Sequence, residues 1–177
     1  MLSHRITDYQ ILNKGEEKFV SRISRYGARG ILFDEKGKVA LMHMSQTGLY
    51  KLPGGGIEEG ESKEEAFLRE IREETGYACK IITFLGVVEE HKSKNDFLHI
   101  SYCFCAVKKG QRKNSKLTRA ETQLGFSLKW YDLETAIEKM ETSLSQCDDY
   151  TFLFMLKRDK DILEYAKRVN KYGKNDT

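Results

Sequence analysis

The residues best suited to chemistry lie in one stretch, GGIEEGESKEEAFLREIREETGY, which runs from Gly55 to Tyr77. On a helix with about 100° per residue, Glu70, Glu73 and Glu74 fall in one stripe. Like charges three and four residues apart repel, and each pair costs about 0.2–0.5 kcal/mol. A divalent cation removes that repulsion, and oxygen ligands on one rigid face suit Mg²⁺ or Mn²⁺. The stripe therefore indicates a metal site.

Two arginines stand beside this stripe without filling it. Their helical positions predict that Arg69 and Arg72 both point away from its centre. A helix selected for stability alone would mix lysine into such a face. The alternative interpretation, which the charge pattern by itself leaves open, is a solvated acidic surface without chemistry.

Three consecutive glycines, Gly54, Gly55 and Gly56, precede the helix. Because glycine has no Cβ, the backbone there can turn sharply and come close to a ligand. A turn that leads toward a helix start could present N–H groups to phosphate. Together with Glu61, which follows the glycines, the constellation indicates metal-assisted phosphate chemistry.

The helix that must position the carboxylates has clear boundary signals. Ser62 and Glu65 have the spacing of a capping box at its start. Gly76 occupies the position favoured just beyond a helix end. Phe67 and Ile71 fall on a separate, apolar face. The sequence therefore predicts a helix from residue 62 to residue 75.

The rest of the chain alternates between strand-like and helical patterns. A mixed sheet covered by helices, an α/β fold, is therefore expected. The turn KSKN joins two long β-rich runs and predicts a hairpin. The strand-like runs are ARGILFD, KVALMHM, KIITFLGVVEEH, DFLHISYCFCAV and FSLKWYDL, and the helical ones are LETAIEKMETSL and the segment that starts at DDYTFLFML.

Composition limits the function classes. The chain has 177 residues, a net charge of +3 and four cysteines without a disulfide or metal-site spacing. Cys103 and Cys105 alternate along one strand and are predicted to be core thiols. No apolar run is long enough to span a bilayer, so a cytoplasmic protein without a membrane partner is expected. We divide the chain into an N-terminal extension (1–24) that could add an edge strand, a main domain (25–144) and a C-terminal helical segment packed on it (145–177).

The spacing of the acidic stretch resembles a known signature. Gly55, five residues, Glu61, seven residues and then REIREETG from Arg69 to Gly76 is similar to the Nudix box, GX5EX7REUXEEXGU, in which U is a bulky aliphatic residue. Tyr77 at the closing aliphatic position is the one departure. The approach LPGGGIE also looks like that of Nudix proteins. The chain therefore resembles a Nudix hydrolase.

This resemblance implies an α/β/α sandwich and hydrolysis of a nucleoside diphosphate linked to another moiety, with Mg²⁺ or Mn²⁺. By position, Glu70, Glu73 and Glu74 would bind the metal, and Glu61 would be a further acidic residue near it. Arg69 would orient a neighbouring carboxylate by ion pairing, and Gly55 would shape the loop. Whether Glu70 acts as ligand or as general base is left open, because a close pair of carboxylates can titrate as a unit.

Residues outside the signature are weaker candidates. Glu121, or else Glu89 or Glu90, could add a carboxylate to the site. Tyr50 and Phe97 could stack on a base, although aromatic residues are chiefly core material. The basic segment KKGQRKNSKLTR, residues 108–119, could contact a polyphosphate tail or RNA.

The substrate class is predicted from the absence of signatures that other Nudix subfamilies would carry. The chain has no proline after Pro53, where ADP-ribose-directed members would have one, so hydrolysis of a nucleoside triphosphate to monophosphate and pyrophosphate is the default. The expected partner is a nucleotide-type small molecule. The alternative is a non-catalytic nucleotide- or RNA-binding module on the same fold, which the mild net charge disfavours. The apolar run YTFLFMLK could pack on the domain or join two copies in a homodimer.

Overall fold

One mixed sheet of eight strands organises the computed structural model, which describes residues 1–169. The strands are β1 (Leu2–Thr7), β2 (Ile23–Phe33), β3 (Val39–Met44), β4 (Leu49–Lys51), β5 (Gly54–Gly56), β6 (Ala78–Lys92), β7 (Phe97–Lys109) and β8 (Phe126–Tyr131). The main order is β1-β6-β7-β2-β3-β4, while β5 pairs with β2 and β8 pairs with β3. The β1–β6 and β2–β7 pairs are parallel and the others are antiparallel. The predicted mixed sheet is confirmed.

Helices cover both faces of this sheet. They are α1 (Asp8–Leu12), α2 (Lys63–Thr75), α3 (Arg119–Gln123), α4 (Leu133–Gln146) and α5 (Tyr150–Val169). On one face, α2 buries Phe67 and Ile71 against Phe104 of the sheet. On the other, Met140 of α4 and Phe154 of α5 join the larger core cluster. The result is an α/β/α sandwich.

The local signals around α2 act as the sequence predicts. The Ser62 hydroxyl accepts a hydrogen bond from the Glu65 N–H at 3.2 Å, and the Glu65 carboxylate accepts one from the Ser62 N–H at 2.9 Å. Gly76 ends the helix with φ of 79°, a left-handed conformation that glycine adopts without strain. The helix that carries the acidic stripe is therefore fixed at both ends by its own sequence.

The predicted hairpin is also present. Strands β6 and β7 pair antiparallel across a 3₁₀ turn at Ser93–Asn95. Cys103 and Cys105 are buried in the core, where burial raises the pKa of each thiol to about 12. The prediction of core thiols is confirmed.

The two ends of the described chain pack into the same architecture. Strand β1 lies at one end of the sheet, and α5 packs against α4 and several strands. Within residues 1–169, no helix has the length and apolar character needed to cross a bilayer. The last part of the predicted C-terminal segment, 170–177, lies outside the described residues. The division at residues 24 and 144 stays a prediction.

A buried group of charges fastens α5 to the sheet. Asp159 accepts hydrogen bonds from the Leu52 N–H at 2.8 Å and from Nε of Arg158 at 2.7 Å. Arg158 also donates to Glu90 at 2.9 Å, and the same carboxylate lies 3.1 Å from Nδ1 of His99. Burial works against the charged form of Glu90, but Arg158 and His99 hold the pKa of that carboxyl well below its usual range. Burial lowers the pKa of His99 to about 4.

Replacing Asp159 with alanine tests this attachment. We expect the free energy of unfolding to fall by about 3–5 kcal/mol, because Arg158 stays buried with one fewer charged partner and the Leu52 N–H loses its acceptor. Glu164→Ala on the same helix is the control, since among residues 1–169 its partly exposed carboxylate pairs only with Lys160, four residues earlier. Denaturant unfolding measures both variants. Equal losses would contradict a structural role for the Asp159 contact.

Candidate active site

Arg69 is the centre of the acidic cluster. Its Nε and Nη2 donate to the two oxygens of Glu61 at 2.8 and 2.9 Å. Its Nη1 donates to Glu70 at 2.9 Å and to Glu73 at 3.1 Å, and Nη2 also reaches the carbonyl oxygen of Gly56 at 2.9 Å. The hydrogen bonds that Arg69 donates to Glu61, and then to Glu70, raise the pKa of Arg69, and the bond from Arg69 lowers the pKa of Glu61.

The expectation that Arg69 points away from the stripe is therefore wrong. Its side chain is long enough to bend across the helix surface, and three carboxylates attract it more strongly than solvent does. Arg72 behaves as expected and remains exposed. The like-charge repulsion predicted for this face is thus relieved from within the chain.

Glu70 fits against the backbone of Gly55. A Cβ at Gly55 would overlap the Glu70 carboxylate in its present position, so glycine allows this close approach. The glycine run differs from the predicted turn, because Gly54–Gly56 form strand β5 and pair with β2. Some of the backbone N–H groups that the sequence predicts to face a phosphate ligand therefore take part in sheet pairing instead.

Glu74 is separated from the rest of the stripe. It is 2% exposed, and its oxygens accept hydrogen bonds from Nζ of Lys51 at 2.5 Å and from the Gly54 N–H at 2.9 Å. Nζ of Lys51 also donates to the Gly54 carbonyl at 3.0 Å. Burial raises the pKa of Glu74, and the charge of Lys51 opposes that rise. Sequence reasoning missed Lys51, since one lysine in a short strand looks like an ordinary surface residue.

Two open clefts flank the Arg69 cluster. The first has a volume of about 810 Å³, and the second has a volume of about 930 Å³. The first is lined by Glu61 and Glu70 together with Arg25, Tyr26, Lys63 and Tyr102. The second is lined by Arg69 and Glu73 together with Arg72, Lys113 and Lys116. Both clefts are thus lined by carboxylates and cations together.

Comparison with known proteins decides the family. The model of the NUDIX domain matches residues 24–151 of the chain. The chain belongs to the NUDIX family.

Curated relatives align with short parts of this Nudix chain. A Bacillus subtilis protein, provisionally named an 8-oxo-dGTP diphosphatase, is 39% identical over 70 residues, which are 40% of this chain and 47% of that protein. The ADP-ribose pyrophosphatase of Methanocaldococcus jannaschii is 55% identical over 59 residues, which are 32% of this chain and 35% of that protein. The matched segments thus span less than half the length of either relative.

Solved structures extend the likeness to the whole fold. A NUDIX hydrolase from Nitrosomonas europaea superposes with a TM-score of 0.62 over 84% of this chain and 91% of its own, at 16% identity. At that identity the likeness concerns the fold alone, and it agrees with the α/β/α sandwich described above.

Two residues of the Nudix box, Glu70 and Glu73, lie where they could together bind a divalent cation. Glu70 and Glu73 share one nitrogen of Arg69 as donor, so their oxygens lie close together, and the Glu73 side chain is 37% exposed. Carboxylate oxygens are the ligands that Mg²⁺ and Mn²⁺ prefer. Within the described part of the chain, no three acidic, histidine or cysteine side chains already converge with the geometry of a metal site. Ligation by Glu61 or Glu74 would require either to exchange its present partners.

The additional acidic candidates lie elsewhere. Glu121 caps the short helix α3 by accepting a hydrogen bond from the Thr118 N–H at 2.8 Å. Glu89 pairs with Arg5 at 3.1 Å near the edge of the sheet. Glu90 belongs to the buried charges beneath α5. None of the three lines either cleft.

The aromatic candidates are also outside the clefts. The hydroxyl groups of Tyr50 and Tyr131 lie 3.2 Å apart beside the larger core cluster. Phe97 begins β7 and packs its ring edgewise with His99. The aromatic residues that do line a cleft, Tyr26 and Tyr102, were missed because only the strand register reveals which side they face.

The basic segment has a structural role at the end of α2. The N–H of Lys113 donates to the Gly76 carbonyl at 2.8 Å, and the N–H of Lys116 donates to the Glu73 carbonyl at 2.7 Å. Nε of Arg112 donates to the Thr75 carbonyl at 3.0 Å. These bonds satisfy carbonyl groups that a helix end leaves without partners. The segment therefore supports the helix and also brings Lys113 and Lys116 to the second cleft.

Substitution of Arg69 by lysine tests the central contact. Lysine keeps the charge but lacks the planar set of donors, so Glu61, Glu70 and Glu73 lose their shared partner. We expect the free energy of unfolding to fall by about 2 kcal/mol in R69K, as measured by denaturant titration. R72K, an exposed change on the same helix, should alter it by less than about 0.5 kcal/mol. Similar values for the two variants would contradict the assigned role of Arg69.

Proposed function

We propose that the protein is a metal-dependent pyrophosphohydrolase that cleaves a nucleoside diphosphate linked to another moiety. Water attacks phosphorus, and a nucleoside triphosphate gives a monophosphate and pyrophosphate. The observation that carries this proposal is the complete Nudix box, with Glu70 and Glu73 gathered by Arg69 between two open clefts. Nucleoside triphosphates are the default substrate class.

In this proposal Glu70 and Glu73 hold a divalent cation, Mg²⁺ or Mn²⁺. When bound, the cation supplies charge neutralisation for the pyrophosphate bridge and lowers the pKa of water. Either Glu70 or Glu73 accepts the proton of the attacking water. The positions of the two carboxylates are compatible with both assignments. Arg69 holds the carboxylates of Glu70 and Glu73 near each other, so that both can act on the same phosphate group.

The remaining box residues have supporting roles. Glu61 accepts two hydrogen bonds from Arg69 and so fixes the plane of the guanidinium group. Glu74, buried with Lys51, joins the end of α2 to the glycine strand, and Gly55 leaves the space that the Glu70 carboxylate fills. Glu61 and Glu74 can add ligands only by exchanging these partners.

The names of the relatives support the general class. Both 8-oxo-dGTP and ADP-ribose contain a nucleoside diphosphate linked to a further group. The missing proline after Pro53 favours the triphosphate over ADP-ribose in our proposal. The four cysteines, all unpaired thiols, are consistent with a reducing compartment, and we propose a cytoplasmic location.

Glu73→Gln tests the chemistry while preserving the shape of the side chain. We expect kcat to fall by about 100-fold or more, because the amide is a weaker metal ligand and cannot accept the proton. Glu64→Gln is the control, since Glu64 is exposed on the same helix and its nearest cation, Lys63, is 4.0 Å away. Circular dichroism should show the same helix content in both variants.

The assay uses Mg²⁺ with nucleoside triphosphates, dinucleoside polyphosphates, ADP-ribose and nucleotide sugars. Phosphate is measured with and without added pyrophosphatase, so that pyrophosphate release is identified separately. Pyrophosphate and a monophosphate from a triphosphate would support the proposal. Absence of turnover across the panel, with nucleotide binding still measurable, would overturn it in favour of a binding module.

A further inference from the structure

The first cleft has an aromatic wall that the hydrolytic chemistry does not use. Tyr26 of β2 and Tyr102 of β7 lie with their rings nearly parallel, at 9°, and with centroids 6.2 Å apart. Tyr26 is 44% exposed, whereas Tyr102 is half-buried. The open ring at this wall is therefore that of Tyr26.

The sheet register explains why the two tyrosines lie together on the α2 side of the sheet. Strands β2 and β7 are parallel, with Ala28 opposite Tyr102, so Tyr26 and Tyr102 occupy diagonal positions on adjacent strands. Alternate residues share a face, which places Tyr26 on the same side as Ala28 in the core beneath α2. The tyrosine pair and residues of the box helix, Lys63 and Glu70, thus line the same cleft.

Neighbouring side chains hold Tyr102 in place and leave Tyr26 open. Nζ of Lys63 lies 5.2 Å from the centroid of the Tyr102 ring and 4.3 Å from that of Phe84. Phe84 also packs against Tyr102, with centroids 6.4 Å apart. The ring of Tyr102, held by Lys63 and Phe84, therefore supports the ring of Tyr26.

Charges around the tyrosine pair complement a nucleotide. Arg25 lines the cleft beside Gly56, and Lys63 lines it at the start of α2. Glu61 and Glu70 line the same cleft, and in the proposed function the scissile phosphates lie beside them. A ligand with an anionic part near the box and a flat, weakly polar part near Tyr26 would complement these lining residues. A cleft of about 810 Å³ is within the range of small-ligand sites.

We propose that Tyr26, supported by Tyr102, is the stacking platform for the nucleobase of the substrate. This inference rests on the proposed function, because it takes the substrate to be a nucleotide. Stacking uses the π face that every base possesses, so the platform sets affinity for nucleosides and tolerates different bases. Arg25 and Lys63 contact the phosphate groups between the base and the box.

The test compares Tyr26→Ala and Tyr26→Phe with Tyr9→Ala. Tyr9 is an equally exposed aromatic residue, at 47%, on the surface helix α1. For the best nucleotide of the substrate panel, Tyr26→Ala should raise KM about tenfold and leave kcat within about twofold. Tyr26→Phe should keep the wild-type KM because the ring remains, and Tyr9→Ala should change neither constant.

A second readout removes the base instead of the ring. Equilibrium dialysis measures binding of a nucleoside monophosphate and of ribose 5-phosphate, which has the same phosphate but no base. Tyr26→Ala should weaken binding of the monophosphate about tenfold and leave binding of ribose 5-phosphate unchanged.

The two proposals fail in different ways. Turnover by wild type together with an unchanged KM in Tyr26→Ala would overturn the stacking platform and leave the hydrolase proposal standing. Equal weakening of both dialysis ligands would also overturn it, because the loss would then be independent of the base. Binding of the monophosphate that depends on Tyr26, without turnover of any substrate, would uphold the platform and overturn the hydrolase.

Discussion

Repulsion among carboxylates is the constraint on which the rest of the site depends. Glu61, Glu70 and Glu73 all accept hydrogen bonds from one guanidinium group, which offsets the repulsion among them. Arginine suits this position because its five donors point in fixed directions within a plane. The resulting cluster keeps the carboxylates of Glu70 and Glu73 next to each other, and carboxylate oxygens are ligands that a hard cation prefers.

The same short segment before the helix is held from both faces of the sheet. On the α2 side, Glu74 binds Nζ of Lys51 and the Gly54 N–H. On the α5 side, Asp159 binds the Leu52 N–H. Residues 51–54 therefore connect the box helix to the C-terminal helix, through Nζ of Lys51 and the N–H groups of Leu52 and Gly54. This attachment lets Gly55 present a fixed surface to Glu70, and it makes α5 part of the support for the site.

Sequence reasoning succeeds here where the signal is local and fails where it depends on distant contacts. The bounds of α2 follow from Ser62, Glu65 and Gly76, which act within one turn of the helix. The hairpin and the core thiols follow from alternation along single strands. The direction of Arg69 is a competition between several partners, and helical geometry alone gave the wrong answer. The Asp159 contact depends on Leu52, which is 107 residues earlier in the chain.

The most direct test of the account is binding of Mn²⁺ to the folded protein without nucleotide, followed by electron paramagnetic resonance. The wild type should bind Mn²⁺, and a double variant with Glu70→Gln and Glu73→Gln should bind it at least about tenfold more weakly while remaining folded. Addition of Mg²⁺ should displace the Mn²⁺. Equal affinity in the two proteins would contradict the claim that these carboxylates, gathered by Arg69, form the metal site.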